Sequence, residues 1–97
     1  MPDARPNHPG DTLREDVLEP SGRGPFELAR ALGVELGVLS DVLLRRRPLE
    51  ADLALRLERH LGTPAEIWLG LQAHHDIETT RRSHGRLIDE TVAPRRR

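Results

Sequence analysis

The chain reads as an all-α protein of five short helices. Three observations lead there. Apolar residues recur at spacings of three and four along most of its length, the period of an amphipathic helix, and nowhere alternate as a half-buried strand would. Glycine or proline stands where one such run stops and the next begins. No internal repeat suggests a solenoid.

Residues 1–8 are polar and proline-containing and are expected to form a flexible arm. The first helix is expected over residues 9–18, where Leu13, Val17 and Leu18 keep helical spacing with Asp11, Glu15 and Asp16 between them. Pro9 fits a helix start, where no amide hydrogen is needed, and Pro20 is expected to prevent continuation. After a turn at residues 21–24, Pro25 opens a second helix with Phe26, Leu28, Ala29 and Leu32 inward, and Gly33 supplies a left-handed terminus. A third helix over residues 36–44 buries Leu36, Leu39, Val42 and Leu43. A fourth over residues 51–61 buries Leu53, Ala54, Leu57 and Leu61 and stops at Gly62. Thr63-Pro64-Ala65-Glu66 has the pattern of a capping box opening a fifth helix, which carries Ile67, Trp68, Leu71 and Ile77 inward. Both aromatic residues, Phe26 and Trp68, are expected in the core. Beyond Thr80 the pattern weakens; Leu87, Ile88 and Val92 suggest a short helical segment, and residues 94–97 are expected to fray.

The 97 residues suffice for one small domain. A chain of this size buries roughly two thirds of its unfolded surface, so dimerisation is a natural remedy for marginal stability. Lys and Arg number 15 against 16 Asp and Glu, a net charge of −1. That balance excludes a generally basic nucleic-acid binder, and any affinity for DNA must come from uneven placement of charge. Every one of the basic residues is arginine, a bias that fits a GC-rich coding sequence. The absence of cysteine excludes disulfides, thiolate zinc sites and a cysteine nucleophile. No apolar run approaches the ~20 residues of a membrane span and the polar start does not read as a signal peptide, so no membrane association and a cytoplasmic location are expected.

No nucleophile–base pair, glycine-rich phosphate loop or nucleotide-binding turn is visible, so neither an enzyme nor a cofactor is expected. Glu15, Asp16 and Glu19 read as a solvated acidic helix face rather than acid–base machinery. The adjacent His74 and His75 point about 100° apart on a helix. With Asp76 and Glu78 nearby, and His60 and His84 elsewhere, they read as exposed helix histidines, and no metal is expected.

The centre of the chain carries the functional signal. A helix ending on Gly33, a tight turn, a second helix and then Arg45-Arg46-Arg47-Pro48 is the order a helix-turn-helix needs to lie on DNA. With Leu36, Leu39, Val42 and Leu43 inward, helical spacing turns Gly37, Val38, Ser40, Asp41 and Leu44 outward. That face lacks the Arg, Asn or Gln forks that read base edges, each worth about 1–3 kcal/mol of discrimination. Val38 suits a thymine methyl, Ser40 a single hydrogen bond and Asp41 a cytosine amino group. Arg45, Arg46 and Arg47, with Arg30 from the preceding helix, are placed for phosphates, which fix orientation but not sequence.

The runs HPGDTLREDVLEP, LARALGV and ADLALRLERHLGTPAEIWLGLQAHHDIE, in that order over residues 8–78, resemble the HigA/VapI antitoxins, which carry a Cro/C1-type helix-turn-helix. The resemblance implies a five-helix lambda-repressor-like domain over residues 9–78, with a flexible or partly helical tail at 79–97. It also implies a dimer that binds double-stranded DNA at its own operator, represses its operon and neutralises a basic RelE/HigB-like ribonuclease toxin. The chain departs from the family where DNA is met. Pro25, followed by Phe26, replaces the usual Gln at the second helix's start. Gly37-Val38 replaces Ser-Arg, and Leu44-Arg45 replaces Asn-Gly. The resemblance, together with the apolar width of the fifth helix, assigns a dimer interface to Ile67, Trp68, Leu69, Leu71 and His74. Charge complementarity to a basic toxin points to Arg14, Glu15, Asp16 and Glu19 on the first helix. The alternative expectation keeps the fold and makes the Val38–Leu44 face a protein-interaction surface with little or no sequence-specific DNA binding.

Overall fold

A computed structural model of the protein describes residues 7–96; most of the expected arm at 1–8, and Arg97, lie outside the described residues. All regular structure among them is helical. Helix α1 is one continuous rod, α-helical over Pro9–Thr12, π-helical over Leu13–Leu18 and α-helical again over Glu19–Ser21. Helix α2 spans Pro25–Leu32, α3 Leu36–Leu43, α4 Ala51–Leu61 and α5 Ala65–Thr91.

Helix α1 runs past its expected end, with Pro20 inside it. The π-helical turn explains this. The Glu19 N–H donates five residues back, to the Arg14 carbonyl, so the coil is wider where the proline ring must be accommodated.

One apolar core joins the five helices. Leu13 and Leu18 from α1 meet Leu28, Ala29 and Leu32 from α2 and Leu39, Val42 and Leu43 from α3. Leu53, Ala54 and Leu57 from α4 and Ala65 and Trp68 from α5 complete it, with Leu49 between α3 and α4. Leu61 packs partly buried against it, on the side its spacing predicts.

Four residues expected inward are not, among them Ile67, which is 55% exposed on the side of its helix away from Trp68. Phe26 is 63% exposed: Leu28, Ala29 and Leu32 define the buried arc of α2, and Phe26 lies roughly 115° from its centre. Leu36 opens α3 at the margin of its buried arc and is 43% exposed. Ile77 is exposed because α5 has by then left the core.

The Thr63–Glu66 capping box does not form. Helix α5 starts at Ala65 behind Pro64, with no side-chain cap on its N-cap residue, and the free Ala65 N–H donates instead to Glu58 Oε2 at 2.6 Å. The tail expected beyond Thr80 is part of one 27-residue helix. Its first half packs on the core through Ala65, Trp68 and Gln72; its second half, with Leu87 and Ile88 exposed, projects from a molecule of 52 × 32 × 21 Å. Ion pairs such as Arg86 with Glu90 (3.3 Å) follow the i,i+4 spacing that supports an exposed helix.

Candidate nucleic-acid interface

Helices α2 and α3 form a tight pair. Gly33 adopts φ 69°, the left-handed value that lets the Gly33 and Val34 N–H groups donate to the Arg30 and Ala29 carbonyls and turn the chain at once into α3. The residues of α3 at spacing 37, 40, 41 and 44 turn away from the core, as expected. Gly37 and Leu44 are exposed, Ser40 and Asp41 half-buried, and Val38 is half-buried at the edge, in a groove with Val34, Arg47 and Leu53. Pro25 lines a second groove with Ser40 and Leu44, so the start of α2 stands beside the outward stripe of α3. Arg30 is exposed on α2.

The arginine triplet, expected as one cationic turn, is divided. Helix α3 ends in a Schellman motif: the Arg45 N–H donates to the Val42 carbonyl (3.1 Å) and the Arg46 N–H to the Asp41 carbonyl (2.7 Å). That motif needs a left-handed residue, and Arg45 takes the position with φ 63°, the one non-glycine residue among those described with positive φ. A side chain there costs of order 1–3 kcal/mol. The offset is visible: Arg45 turns inward, Nε donating to Asp11 Oδ1 at 3.1 Å and Nη2 pairing with Asp11 Oδ2. Arg45 therefore joins α3 to α1, in place of the outward role expected of it. Arg46 and Arg47 are exposed and make no ion pair among the described residues.

Asp11 is held from several sides. It accepts the His8 N–H (3.1 Å) and a bond from Arg14 Nη2 (3.3 Å), and Arg14 Nη1 also donates to the Leu43 carbonyl (3.3 Å). Burial alone would push the Asp11 carboxyl up; the bonds from Arg45 and the His8 N–H, the Arg45 charge and the Arg14 bond outweigh it and hold the group at about 2. His8, assigned to the arm by sequence, is 3% exposed. Its Nδ1 accepts the Gly10 N–H (2.9 Å), completing a capping box with Asp11, and its ring packs edge-on against His75 at 4.8 Å. Burial, then the neighbouring His75, lower its pKa below the ordinary histidine value. Gly10 is required because the α3 backbone lies against it: a Cβ there would sit 2.9 Å from the Val42 carbonyl carbon and 3.1 Å from Leu43 Cα. On the far side the Leu49 N–H donates to buried Gln72 Oε1 (2.7 Å), and Gln72 Nε2 donates to Asp76 (2.9 Å).

The end of α3 is thus clamped from α1 and the following loop from α5. Sequence reasoning passed over His8, Asp11 and Gln72 in this role. The H-x-x-D spacing of a capping box was the available signal for the first two; nothing local marks Gln72.

The other predicted sets are scattered. Arg14, Glu15, Asp16 and Glu19 are exposed on α1. Ile67 and His74 are exposed on α5, and Leu69 and Leu71 are half-buried against the core. Trp68, expected both in the core and at a dimer interface, is 3% exposed within its own domain, so its side chain is spent on the core and has almost no surface left for a second copy.

A short helix–turn–helix whose second helix lies open and ends on two solvent-facing arginines defines the class: a DNA-binding helix-turn-helix domain. No family model matches the chain. It is 39% identical over 71 residues to virulence-associated protein I of Dichelobacter nodosus, a match covering 73% of this chain and 66% of that protein. It is 36% identical over 77 residues to antitoxin HigA-1 of Vibrio cholerae, covering 79% of this chain and 72% of the relative. The chain thus spans about two thirds of the length of the curated relatives it matches. Among solved structures it is similar to antitoxin GraA, with a TM-score of 0.90, 40% identity and coverage of 96% of this chain and 100% of that one. GraA has also been solved in complex with its operator. The chain belongs to the HigA-type antitoxins of the helix-turn-helix regulators, a family of DNA-binding proteins and not of enzymes.

Proposed function

We propose that this protein is a dimeric antitoxin and transcriptional autorepressor of a type II toxin–antitoxin operon, acting in the cytoplasm. The observation that carries the reading is the division of the arginine triplet. Arg45 is committed to Asp11, which holds the end of α3 in place, while Arg46 and Arg47 remain exposed beside it. Exposed guanidinium groups carried on an anchored stretch of backbone just past an outward helix suit backbone phosphates. The operator complex of GraA supports the same reading. DNA contact is assigned to Pro25, Phe26, Arg30, Gly37, Val38, Ser40, Asp41, Leu44, Arg46 and Arg47. Exposed Ile67 and His74 share one face of α5 with half-buried Leu71, and that face is assigned to a two-fold dimer, which sets two recognition helices about 34 Å apart. Leu69 lies roughly 160° round the helix from it and is left out of the interface. The acidic face Glu15, Asp16 and Glu19 on α1, with Arg14, suits a basic RelE-like ribonuclease.

Mobility shift with the DNA upstream of the chain's own reading frame, across a salt series, tests the first part. Affinity is expected to fall steeply as salt rises, through counterion release. No shift even at low salt refutes operator binding and leaves the protein-interaction reading. Sedimentation at micromolar concentration tests the dimer, and a monomer there refutes it. Co-expression with the adjacent reading frame is expected to give a complex and relieve growth inhibition; the absence of both refutes the antitoxin role.

A further inference from the structure

The recognition surface is unusual in chemistry. Helix α3 carries no Arg, Lys, Asn, Gln or His at all over Leu36–Leu43, so no side chain on it can make the forked hydrogen bonds that read guanine or adenine. Large apolar side chains stand exposed there instead: Leu44 is 58% exposed at the end of the outward stripe and Leu36 flanks its start. Phe26 is exposed in the first turn of α2, next to Pro25, which borders the groove shared with Ser40 and Leu44. In a major groove only one base feature rewards an apolar side chain, the C5-methyl group of thymine. Exposed Arg30, Arg46 and Arg47 border the helix pair, and although Glu27 and Glu35 are exposed on it too, guanidinium groups beside a protruding helix argue for DNA over an apolar protein segment as its occupant.

We propose that this chain reads its operator through thymine methyl groups, packed against Leu44, Leu36 and Phe26, with phosphate contacts supplying most of the affinity. The inference rests on the operator-binding reading above and names the chemistry of that recognition. Gly37, at the start of the outward stripe with open space around it, lets the helix backbone approach the base edges closely. Asp41 on the same stripe disfavours phosphates and offers only an acceptor, so it adds a cytosine amino contact at most and does not compete for thymine.

The test replaces thymine by uracil, one position at a time, in the minimal duplex that footprinting defines upstream of the reading frame. Uracil keeps every hydrogen bond of the base pair and removes only the methyl group. Removing a buried methyl is expected to weaken Kd about fourfold at each contacted thymine. The variant Leu44→Ala, at an exposed site and so harmless to the core, is expected to abolish the thymine–uracil difference at one position and leave it intact at the others. Equal Kd for thymine and uracil duplexes at every position overturns the inference while leaving operator binding standing. No binding to any upstream duplex at low salt overturns the operator reading itself. A Leu44→Ala protein with unchanged DNA affinity and weakened binding to the neighbouring gene's product shows the face to be a protein-docking surface, and that too overturns the inference.

Discussion

Replacing Gly10 by alanine sets two physical effects against each other. By helix propensity the change is favourable, since glycine within a helix costs about 0.5–1 kcal/mol relative to alanine. By packing it is unfavourable. The new methyl would lie 2.9 Å from the Val42 carbonyl carbon and 3.1 Å from Leu43 Cα, and closer still to the Val42 oxygen. Carbon atoms rest about 3.5–4.0 Å apart, and every atom in the way is backbone, so no side chain can swing aside. The oxygen contact sets the demand, so helix α1 must withdraw from the end of α3 by at least roughly 1 Å. That movement also stretches the Arg14 bond to the Leu43 carbonyl and the Asp11–Arg45 pair. Overpacking of this kind costs about 1–3 kcal/mol; with the weakened pair added and the propensity gain subtracted, a net loss of about 2 kcal/mol is expected. For a domain of this size that lowers Tm by about 8–16 °C. Gly37→Ala is the control, because a Cβ there meets open space. It is expected to raise stability by up to about 1 kcal/mol. Thermal unfolding followed by circular dichroism, at matched protein concentration because a dimer's Tm depends on it, reads both. A Gly10→Ala protein melting at or above the parent would refute the close approach of α1 to α3.

Four further outcomes follow from the same clamp. The Asp11 pKa, lowered from 3.8 to about 2, makes a contribution of roughly 2 kcal/mol that is complete above the unfolded value and is lost as pH falls through about 2. Urea unfolding between neutral pH and pH 2 is expected to show that loss in the parent and not in Asp11→Asn. Arg45→Ala and Arg45→Gly both lose the ion pair, but only glycine relieves the left-handed backbone, so the glycine variant is expected to be the more stable of the two by about 1 kcal/mol; equal stabilities would contradict φ 63° at that residue. Arg46→Ala and Arg47→Ala should each lower the slope of log affinity against log salt by about one while leaving unfolding within about 0.5 kcal/mol of the parent. Gln72→Leu deprives the buried Leu49 N–H of its acceptor and is expected to cost about 1–3 kcal/mol in chemical unfolding.

The sequence by itself determined the number of helices, most of their boundaries and the leucines of the core. Those features rest on local physics: a period of three to four residues, a proline that suits a first turn, a glycine that suits a left-handed stop. Leu28, Leu32, Leu39, Val42, Leu53 and Leu57 are buried where their spacing puts them. Where local rules competed, spacing alone misled. Phe26 and Leu36 look apolar enough for the core but stand off its arc, and Pro20 is carried inside a helix by a π-helical turn. Only the tertiary structure decided the fate of the arginine triplet. Arg45 and Asp11 lie 34 residues apart, and three adjacent, chemically identical side chains give no local hint that one turns inward. The same holds for Gln72, which accepts from a backbone N–H 23 residues away. A side chain's partner across the core is a property of how helices pack, and packing is settled by the whole chain together rather than by any window of it.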